Sequence, residues 1–182
     1  MTASFLLALC PPAAVAARVV AFREAHQVRD AAATPHITVK ARSGLAEDLA
    51  WHPVVRAVTE AASPVNVTLL GPRRFPGDRA LYLAVQSPQA VALHLALLEA
   101  LKPARRFGYE GPDMTPHLSL VLGRRGLDLQ VLLEEAQTAF GELDRHPLNW
   151  TAQTLTLMRK AGPGAAYQPV EAWPLGADRG PG

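Results

Sequence analysis

Apolar residues recur along this chain with two different periods, one typical of strands and one typical of helices. Short apolar or alternating runs predict strands at 4–10, 36–40, 65–70, 80–86, 117–122, 151–159 and 167–173. Apolar residues spaced three and four positions apart predict helices at 12–26, 47–62, 88–101 and 127–140. Strands and helices that are mixed along the chain in this way predict an α+β fold.

The segments between these elements indicate one domain. No connection is rich enough in Gly and Ser to separate independent units, so we expect two lobes sharing a sheet region across residues 1–175. The stretch 71–78, rich in Gly and Pro, is predicted to be the loop of a hairpin. Residues 176–182 contain only Gly, Ala, Asp, Arg and Pro and are predicted to form a flexible tail.

Composition excludes several classes of protein. With 49% hydrophobic and 19% charged residues the chain is too apolar to be disordered, and a net charge of +2 excludes a histone-like polycation. The single cysteine, Cys10, excludes a disulfide framework and a cysteine-rich zinc site. The apolar run 5–10 follows no basic residue and ends at Pro11-Pro12, which favours a strand over a secretory signal. No apolar run approaches the roughly 18 residues of a membrane span, so we expect no membrane contact. The single cysteine fits a reducing compartment, and we expect a cytoplasmic protein. We also expect it to be a monomer.

One six-residue pattern occurs twice, 81 residues apart. Thr34-Pro35-His36-Ile37-Thr38-Val39 and Thr115-Pro116-His117-Leu118-Ser119-Leu120 match in residue type at every position. Chance is a poor explanation for a His-apolar-hydroxyl-apolar run that appears twice behind Thr-Pro. The repeat therefore indicates a duplicated half-domain.

Both copies lie on predicted strands, in which successive side chains point to opposite faces. The first strand is predicted to place His36, Thr38 and Lys40 on one face. In the second strand, one face is predicted to carry His117, Ser119 and Val121, and the other Leu118, Leu120 and Leu122. Two such strands related by a pseudo-twofold axis would bring two imidazoles and two hydroxyls into one cleft.

These four side chains suit phosphoryl chemistry without a metal or a cofactor. One imidazole can accept a proton from the nucleophile and the other can donate one to the leaving oxygen, because the ordinary pKa of histidine is about 6.5. The hydroxyls of Thr38 and Ser119 can donate hydrogen bonds to phosphate oxygens. A strained 2',3'-cyclic phosphate, opened by water, fits this chemistry, and attack by a 5'-hydroxyl would instead form a 2'-5' or 3'-5' linkage. The near-symmetric pair leaves open which histidine is the acid and which is the base.

The paired motifs resemble those of the 2H phosphoesterase superfamily, in the branch of bacterial 2'-5' RNA ligases and RNA 2',3'-cyclic phosphodiesterases. Further stretches are similar to the family's first strand, central hairpin and closing strand: 5–12, 71–76 with 81–83, and 167–175. The resemblance implies a bilobal fold of two pseudo-symmetric, mainly antiparallel lobes, with helices outside and a central cleft. It implies that His36 and His117 are catalytic and that Thr38 and Ser119 bind phosphate. Some members have an arginine five residues after the second histidine, where this chain has Leu122, and Arg124 follows two residues later.

Basic and aromatic residues around the motifs are candidates for contacts with an RNA strand. The segment just before the second motif combines two cations with two aromatic rings that could stack on a base: Arg105, Arg106, Phe107 and Tyr109. Arg124 and Lys40 are further candidates for phosphate contacts. No His-x-His or His-Glu-x-x-His spacing indicates a metal site.

Two alternatives stay open at the level of the sequence. The substrate could be a small cyclic phosphate, such as ADP-ribose 1'',2''-cyclic phosphate or a cyclic mononucleotide, although the arginine pairs favour RNA ends. The protein could also be a non-catalytic module that binds RNA ends. Binding alone would favour permanent cations over titrating imidazoles, so the two histidines favour an enzyme.

Overall fold

Eight antiparallel strands form a single sheet in the computed structural model, which describes residues 3–176. The strands are β1 (Ser4–Leu9), β2 (Ile37–Lys40), β3 (Val65–Arg74), β4 (Ala80–Gln86), β5 (His117–Leu122), β6 (Leu148–Ala152), β7 (Thr154–Lys160) and β8 (Gln168–Pro174). The helices are α1 (Ala13–Ala25), α2 (His52–Ala61), α3 (Pro88–Leu101) and α4 (Leu129–Phe140), and a short 3₁₀ helix, Gly141–Asp144, follows α4.

The order of the strands divides the sheet into two halves. The order is β6-β3-β4-β5-β2-β1-β7-β8, so the two motif-bearing strands, β5 and β2, lie side by side at the centre. Three further strands extend from each of them. This arrangement confirms the predicted α+β fold of two lobes that share a sheet.

The four helices all pack into one hydrophobic core on the same face of the sheet. Buried side chains from each helix join those of the strands in this core, for example Val19, Val55, Leu97 and Leu132. The helix starts follow local sequence, as in α4, where Asp128 accepts hydrogen bonds from the backbone N–H groups of Gln130 and Val131. A small second cluster on the opposite face consists of Leu6, Ala8, Ala32 and Met158. The rest of that face is available for a site.

Several element boundaries differ from the prediction. Helix α2 begins at His52 and not at position 47, because Pro53 lies in its first turn, where the missing N–H costs nothing. Strand β3 continues to Arg74, which shortens the predicted loop of the hairpin. The other helices and the strands at 4–10, 36–40, 80–86 and 117–122 lie within a few residues of their predicted ranges.

The prediction of one long strand at 151–159 was wrong. The chain forms two strands there, with Gln153 between them, and they pair with different partners: β6 with β3 and β7 with β1. In a flat sheet, six strand spacings would separate β6 from β7 by about 29 Å. A link of one residue spans at most about 7.6 Å between flanking Cα atoms, so the sheet must curl until the edge strand β6 meets β7, the neighbour of the other edge strand, at Gln153.

No helix within residues 3–176 is both long enough and apolar enough to cross a bilayer. The cytoplasmic location and the monomeric state remain predictions. Apart from Gly176, the predicted flexible tail lies outside the described residues.

Candidate active site

The two motifs meet at the centre of the sheet. Ile37 of β2 pairs with Leu118 of β5, and both side chains belong to the core. Continuing this antiparallel register places His36 across from Ser119 and Thr38 across from His117, all four on the face away from the core. Side chains that are diagonal neighbours on adjacent strands lie about 7–8 Å apart at Cα, so the two imidazoles are within reach of one phosphate group.

Each motif ends in a β-bulge at the equivalent position. Ala8 and Leu7 of β1 pair with Thr38 and Lys40, so Val39 is an extra residue in β2. In β5 the extra residue is Leu120, which lies between the partners of Tyr82 and Leu81. An inserted residue reverses the alternation of side chains that follows it.

Because of the bulges, the residues after Thr38 and Ser119 point to the opposite face from the one predicted. Lys40 and Val121 turn toward the core, where they are 0% and 1% exposed, whereas Leu122 is 43% exposed. The expectation that Lys40 contacts a phosphate therefore fails. Its ammonium is enclosed, 2.7 Å from Glu110 Oε1, and it also donates hydrogen bonds to Ser43.

Both histidine rings are fixed by the same backbone contact. Nδ1 of His36 lies 3.0 Å from the carbonyl oxygen of Thr34, and Nδ1 of His117 lies 3.0 Å from that of Thr115. Because a carbonyl only accepts hydrogen bonds, Nδ1 carries the proton in each ring. The neutral form of each histidine then has an unprotonated Nε2, the form that a general base requires.

The environment lowers the pKa of both imidazoles. Burial is the main cause for His36, which is 7% exposed, and also for His117. The backbone hydrogen bonds and the negative charge of Asp30 oppose burial in both cases. The neutral, proton-accepting form of each ring is consequently favoured near neutral pH.

The sequence did not predict the buried ion pair of Arg23 and Asp30 next to the motifs. Asp30 accepts a hydrogen bond of 3.0 Å from the hydroxyl of Ser119 and pairs with Arg23 at 3.5 Å. The guanidinium of Arg23 also donates to four backbone carbonyls, those of Ala32, Ala33, Ser119 and Leu120. It fills the gap where β2 and β5 diverge beyond their single pairing at Ile37 and Leu118. The sequence does indicate that Arg23 is buried, because it lies on the same face of α1 as the apolar residues Val15 and Val19. Nothing in the sequence distinguishes Asp30 from the other residues of its loop.

Two aromatic rings flank His117. Phe75 and Tyr82 stack on each other at 4.1 Å, and both meet the His117 ring in edge-on geometry, at 4.9 and 5.4 Å between centroids. Strand alternation places Tyr82 on the site face, since its neighbours Leu81 and Leu83 are in the core. The rings hold one side of the imidazole and form an apolar wall next to it.

The other predicted RNA-contact residues lie outside this centre. Phe107 and Tyr109 stack on each other at 5.3 Å, and Tyr109 is 57% exposed. Their loop is fixed to the far end of β2 by the contact of Glu110 with Lys40, about 13 Å along the strand from His36. The side chains of Arg105, Arg106 and Arg124 are exposed. The structure thus groups four of the predicted residues, leaves the 105–109 segment on a loop at the Lys40 end of β2, and places Arg124 beyond the other end of β5.

Nothing in residues 3–176 groups three or more His, Cys, Asp or Glu side chains in a way that could hold a metal ion. The donors at this site are imidazoles and hydroxyls with one buried carboxylate. Such a set can transfer protons and bind an anion, which is what phosphoryl transfer requires.

A family model described as the 2'-5' RNA ligase superfamily matches residues 11–164, most of the chain. This protein belongs to the 2'-5' RNA ligase superfamily. Membership supports an enzyme that acts on phosphate esters at RNA ends, in agreement with the resemblance of the paired motifs to 2H phosphoesterases.

Solved structures share the fold of this 2'-5' RNA ligase superfamily protein. The crystal structure of TT0787 of Thermus thermophilus is 17% identical, with a TM-score of 0.64 over 96% of this chain and 99% of that one. E. coli LigT complexed with 3'-AMP is 16% identical, with a TM-score of 0.62 over 97% of this chain and 99% of LigT. At these identities the likeness concerns the fold alone. No curated protein sequence matches the chain.

Proposed function

We propose that this protein hydrolyses 2',3'-cyclic phosphate ends of RNA without a metal. The observation that supports this most strongly is the matched pair of imidazoles on adjacent central strands. Each uses Nδ1 to hold the ring against a backbone carbonyl and keeps Nε2 for proton transfer. Membership of the 2'-5' RNA ligase superfamily supports RNA ends as the class of substrate.

The reaction needs one proton acceptor and one proton donor. Nε2 of one neutral histidine takes a proton from water as its oxygen attacks phosphorus. The other histidine, protonated at Nε2, donates that proton to the ribose oxygen as its bond to phosphorus breaks. The products are a phosphomonoester and a free ribose hydroxyl, and the two histidines have exchanged protonation states. Nδ1 donates to its carbonyl throughout, so neither ring has to move.

The phosphate would lie over the row formed by His117 and Thr38. Thr38 is partly exposed on this row, and its hydroxyl can donate to a non-bridging oxygen. On the other side of His117 the row continues with Ala84, whose small side chain leaves room for a substrate. Ser119 and His36 lie on the same face, on the side of the Ile37–Leu118 pair where β2 and β5 diverge.

The same geometry would serve ligation as a side reaction. If a 5'-hydroxyl takes the place of water, the base removes its proton and a phosphodiester forms in place of the monoester. The outcome then depends on which nucleophile reaches the site. A radiolabelled RNA with a 5'-hydroxyl partner, incubated with the enzyme, would reveal the joined product directly.

The decisive test removes each imidazole in turn. We expect His36→Ala and His117→Ala each to lower turnover of a cyclic-phosphate oligonucleotide by about 10²–10⁴-fold, the usual contribution of general acid–base catalysis. EDTA should leave the wild-type rate unchanged. His146→Ala, a change at an exposed histidine, is the matched control. Near-wild-type turnover in either site variant with a native thermal transition would refute the assignment.

A second comparison addresses substrate length. The exposed cations of the 105–110 loop would contact phosphates beyond the reacting end, so Arg105→Ala/Arg106→Ala should raise KM for an oligonucleotide several-fold. The same variant should turn over 2',3'-cyclic AMP normally. An equal effect on both substrates, or none on the oligonucleotide, would favour a small cyclic phosphate as the substrate.

A further inference from the structure

The hydroxyl hydrogen of Ser119 already takes part in a hydrogen bond to another residue of the protein. Ser119 Oγ donates to Asp30 Oδ1 at 3.0 Å, and the residue is 9% exposed. A serine hydroxyl has one hydrogen to donate and two lone pairs with which to accept. In this arrangement Ser119 therefore faces the cleft as an acceptor.

Asp30 is held firmly in the position that directs Ser119. Its side chain is 4% exposed, and its second oxygen lies 3.5 Å from Arg23. Arg23 is fixed in turn by four backbone carbonyls, so neither partner is free to swing away. Releasing the Ser119 hydrogen would leave a buried carboxylate oxygen without that donor, which is unfavourable.

Thr38, the equivalent hydroxyl in the repeat, has no carboxylate at the corresponding position. Shifting Asp30 by the 81-residue repeat leads to Gly111, which has no side chain to engage the hydroxyl of Thr38. Gly111 instead donates its backbone N–H to His94 Nε2. The two hydroxyl positions are equivalent in the repeat and different in their hydrogen bonding.

We propose that Asp30 is a positioning residue that makes Ser119 accept a hydrogen bond from the attacking water, while Thr38 alone donates to the phosphate. This inference rests on the proposed function, because it concerns the same site. A water held by Ser119 Oγ keeps its other hydrogen for an imidazole Nε2. A negatively charged phosphate oxygen could not accept from Ser119 in this state.

Binding of 3'-AMP, a phosphomonoester probe, tests the division of roles without turnover. We expect Thr38→Val to weaken 3'-AMP binding about tenfold or more in calorimetry, since hydrogen bonds to charged groups are the strong ones. Ser119→Ala should change this affinity by less than about twofold, because no donor is lost, while kcat on the cyclic substrate falls about tenfold or more. Equal weakening of 3'-AMP binding by the two variants would overturn the proposal.

Asp30→Asn should reverse the role of Ser119. The amide oxygen introduced would face Arg23, a donor, so the amide nitrogen would face Ser119 and donate to it. The freed hydroxyl can then donate to phosphate. We expect Ser119→Ala to weaken 3'-AMP binding about tenfold in this background although it has little effect in the wild type. A Ser119→Ala effect that is the same in both backgrounds would contradict the proposal.

The comparison of Ser119→Ala in the two backgrounds is the readout that a purely structural role of Asp30 would not move. The negative charge of Asp30 raises the pKa of both imidazoles against the effect of burial, so Asp30→Asn should also shift both limbs of the pH profile to lower pH. The activities of the two backgrounds are therefore compared at the pH optimum of each. If the variant does not fold, the comparison of Thr38→Val with Ser119→Ala decides by itself. If the wild type neither binds 3'-AMP nor opens a cyclic phosphate, the proposed function fails instead.

Discussion

At the scale of single residues, Gly71 shows how a missing side chain can position a charged one. A Cβ at this position would lie 2.5 Å from Asp144 Oδ2. That carboxylate accepts a hydrogen bond from the backbone N–H of Gly71 and two from Arg73, at 2.8 and 3.0 Å. The three contacts join β3 to the 3₁₀ helix after α4 and hold the carboxylate against the glycine.

Gly71→Ala should therefore destabilise the fold. Replacing a strand glycine by alanine ordinarily gains about 0.4–1 kcal/mol through the unfolded state, but a Cβ here forces Asp144 aside, and the hydrogen bonds from Gly71 and Arg73 that are then lost should cost about 1–3 kcal/mol. We expect a net loss in the free energy of unfolding, measured with urea. Gly108→Ala is the matched control, since nothing lies within 4 Å of a Cβ there. A variant at position 71 as stable as the wild type would show that Asp144 can shift.

The residues of the candidate site differed in how well the sequence could predict them. The histidines and hydroxyls were found because a repeated motif on strands needs only alternation to place its side chains together. Arg23 carried a detectable signal, a cation on the apolar stripe of a helix, which implies a buried partner. Asp30 carried none, because its role comes from a contact with Ser119, 89 residues away.

At the scale of elements, the two bulges determine what each central strand contributes. Without Val39 as an extra residue, Lys40 would share the face of His36, and its charge would lie in the cleft. With the bulge, Lys40 enters the interior and must find an anion there. Glu110 provides it: burial alone would raise the pKa of this carboxyl, but hydrogen bonds from Lys40, Ser43 and the Phe107 N–H lower it overall.

Removing one partner of the Lys40–Glu110 pair should lower the free energy of unfolding much more than replacing both partners by neutral residues. Both side chains are 0% exposed, so Lys40→Met would leave a buried carboxylate unpaired and cost about 3–5 kcal/mol. Lys40→Met/Glu110→Gln removes both charges and should recover much of this loss. Denaturant unfolding of the two variants measures the difference. Equal stability of the single and double variants would mean that the unpaired carboxylate reaches water.

Bulges also mark the limit of sequence-based prediction for this fold. Alternation predicts one face for His36, Thr38, His117 and Ser119, opposite the core residues Ile37 and Leu118, and it fails at the positions after each bulge. No residue type at Val39 or Leu120 distinguishes an inserted strand residue from an ordinary one. The register comes from pairing with β1 and β4, which is a property of the whole sheet.

At the scale of the whole molecule, three partly or fully buried imidazoles connect stability to pH. Burial lowers the pKa of His36, His94 and His117 below the ordinary value of 6.5. His94 also accepts the N–H of Gly111 at Nε2, a contact that protonation would abolish. The unfolded chain binds protons at these positions more readily than the native one, so the free energy of unfolding rises with pH across this range.

We accordingly expect the protein to lose stability as the pH falls below about 6.5. The loss should be complete once the pH is below the native pKa values. His94→Gln should reduce the slope, because one of these three groups is gone. Thermal transitions recorded between about pH 5 and pH 8 measure this effect. A transition temperature that does not change over the range would contradict the linkage.

The overall architecture was predictable because the same strand motif occurs in both halves of the sequence. A repeated strand with a helix on either side predicts two similar halves, and the sheet order places their motif strands together. The path between the halves was not predictable, since residues 151–159 alternate as one continuous strand would. The change of partner at Gln153 depends on the edges of β3 and β1, which are far apart in sequence.

The one-residue connection at Gln153 has a consequence for how a ligand enters. Because the peptide chain does not stretch, the spacing of β6 and β7 at this point is a constant of the covalent structure. The two halves of the sheet therefore stay joined at Gln153 when a ligand binds, and any relative motion of the lobes there is a change of angle and not of separation. Little of the binding energy is then consumed in bringing the two halves together, because the covalent chain already holds them.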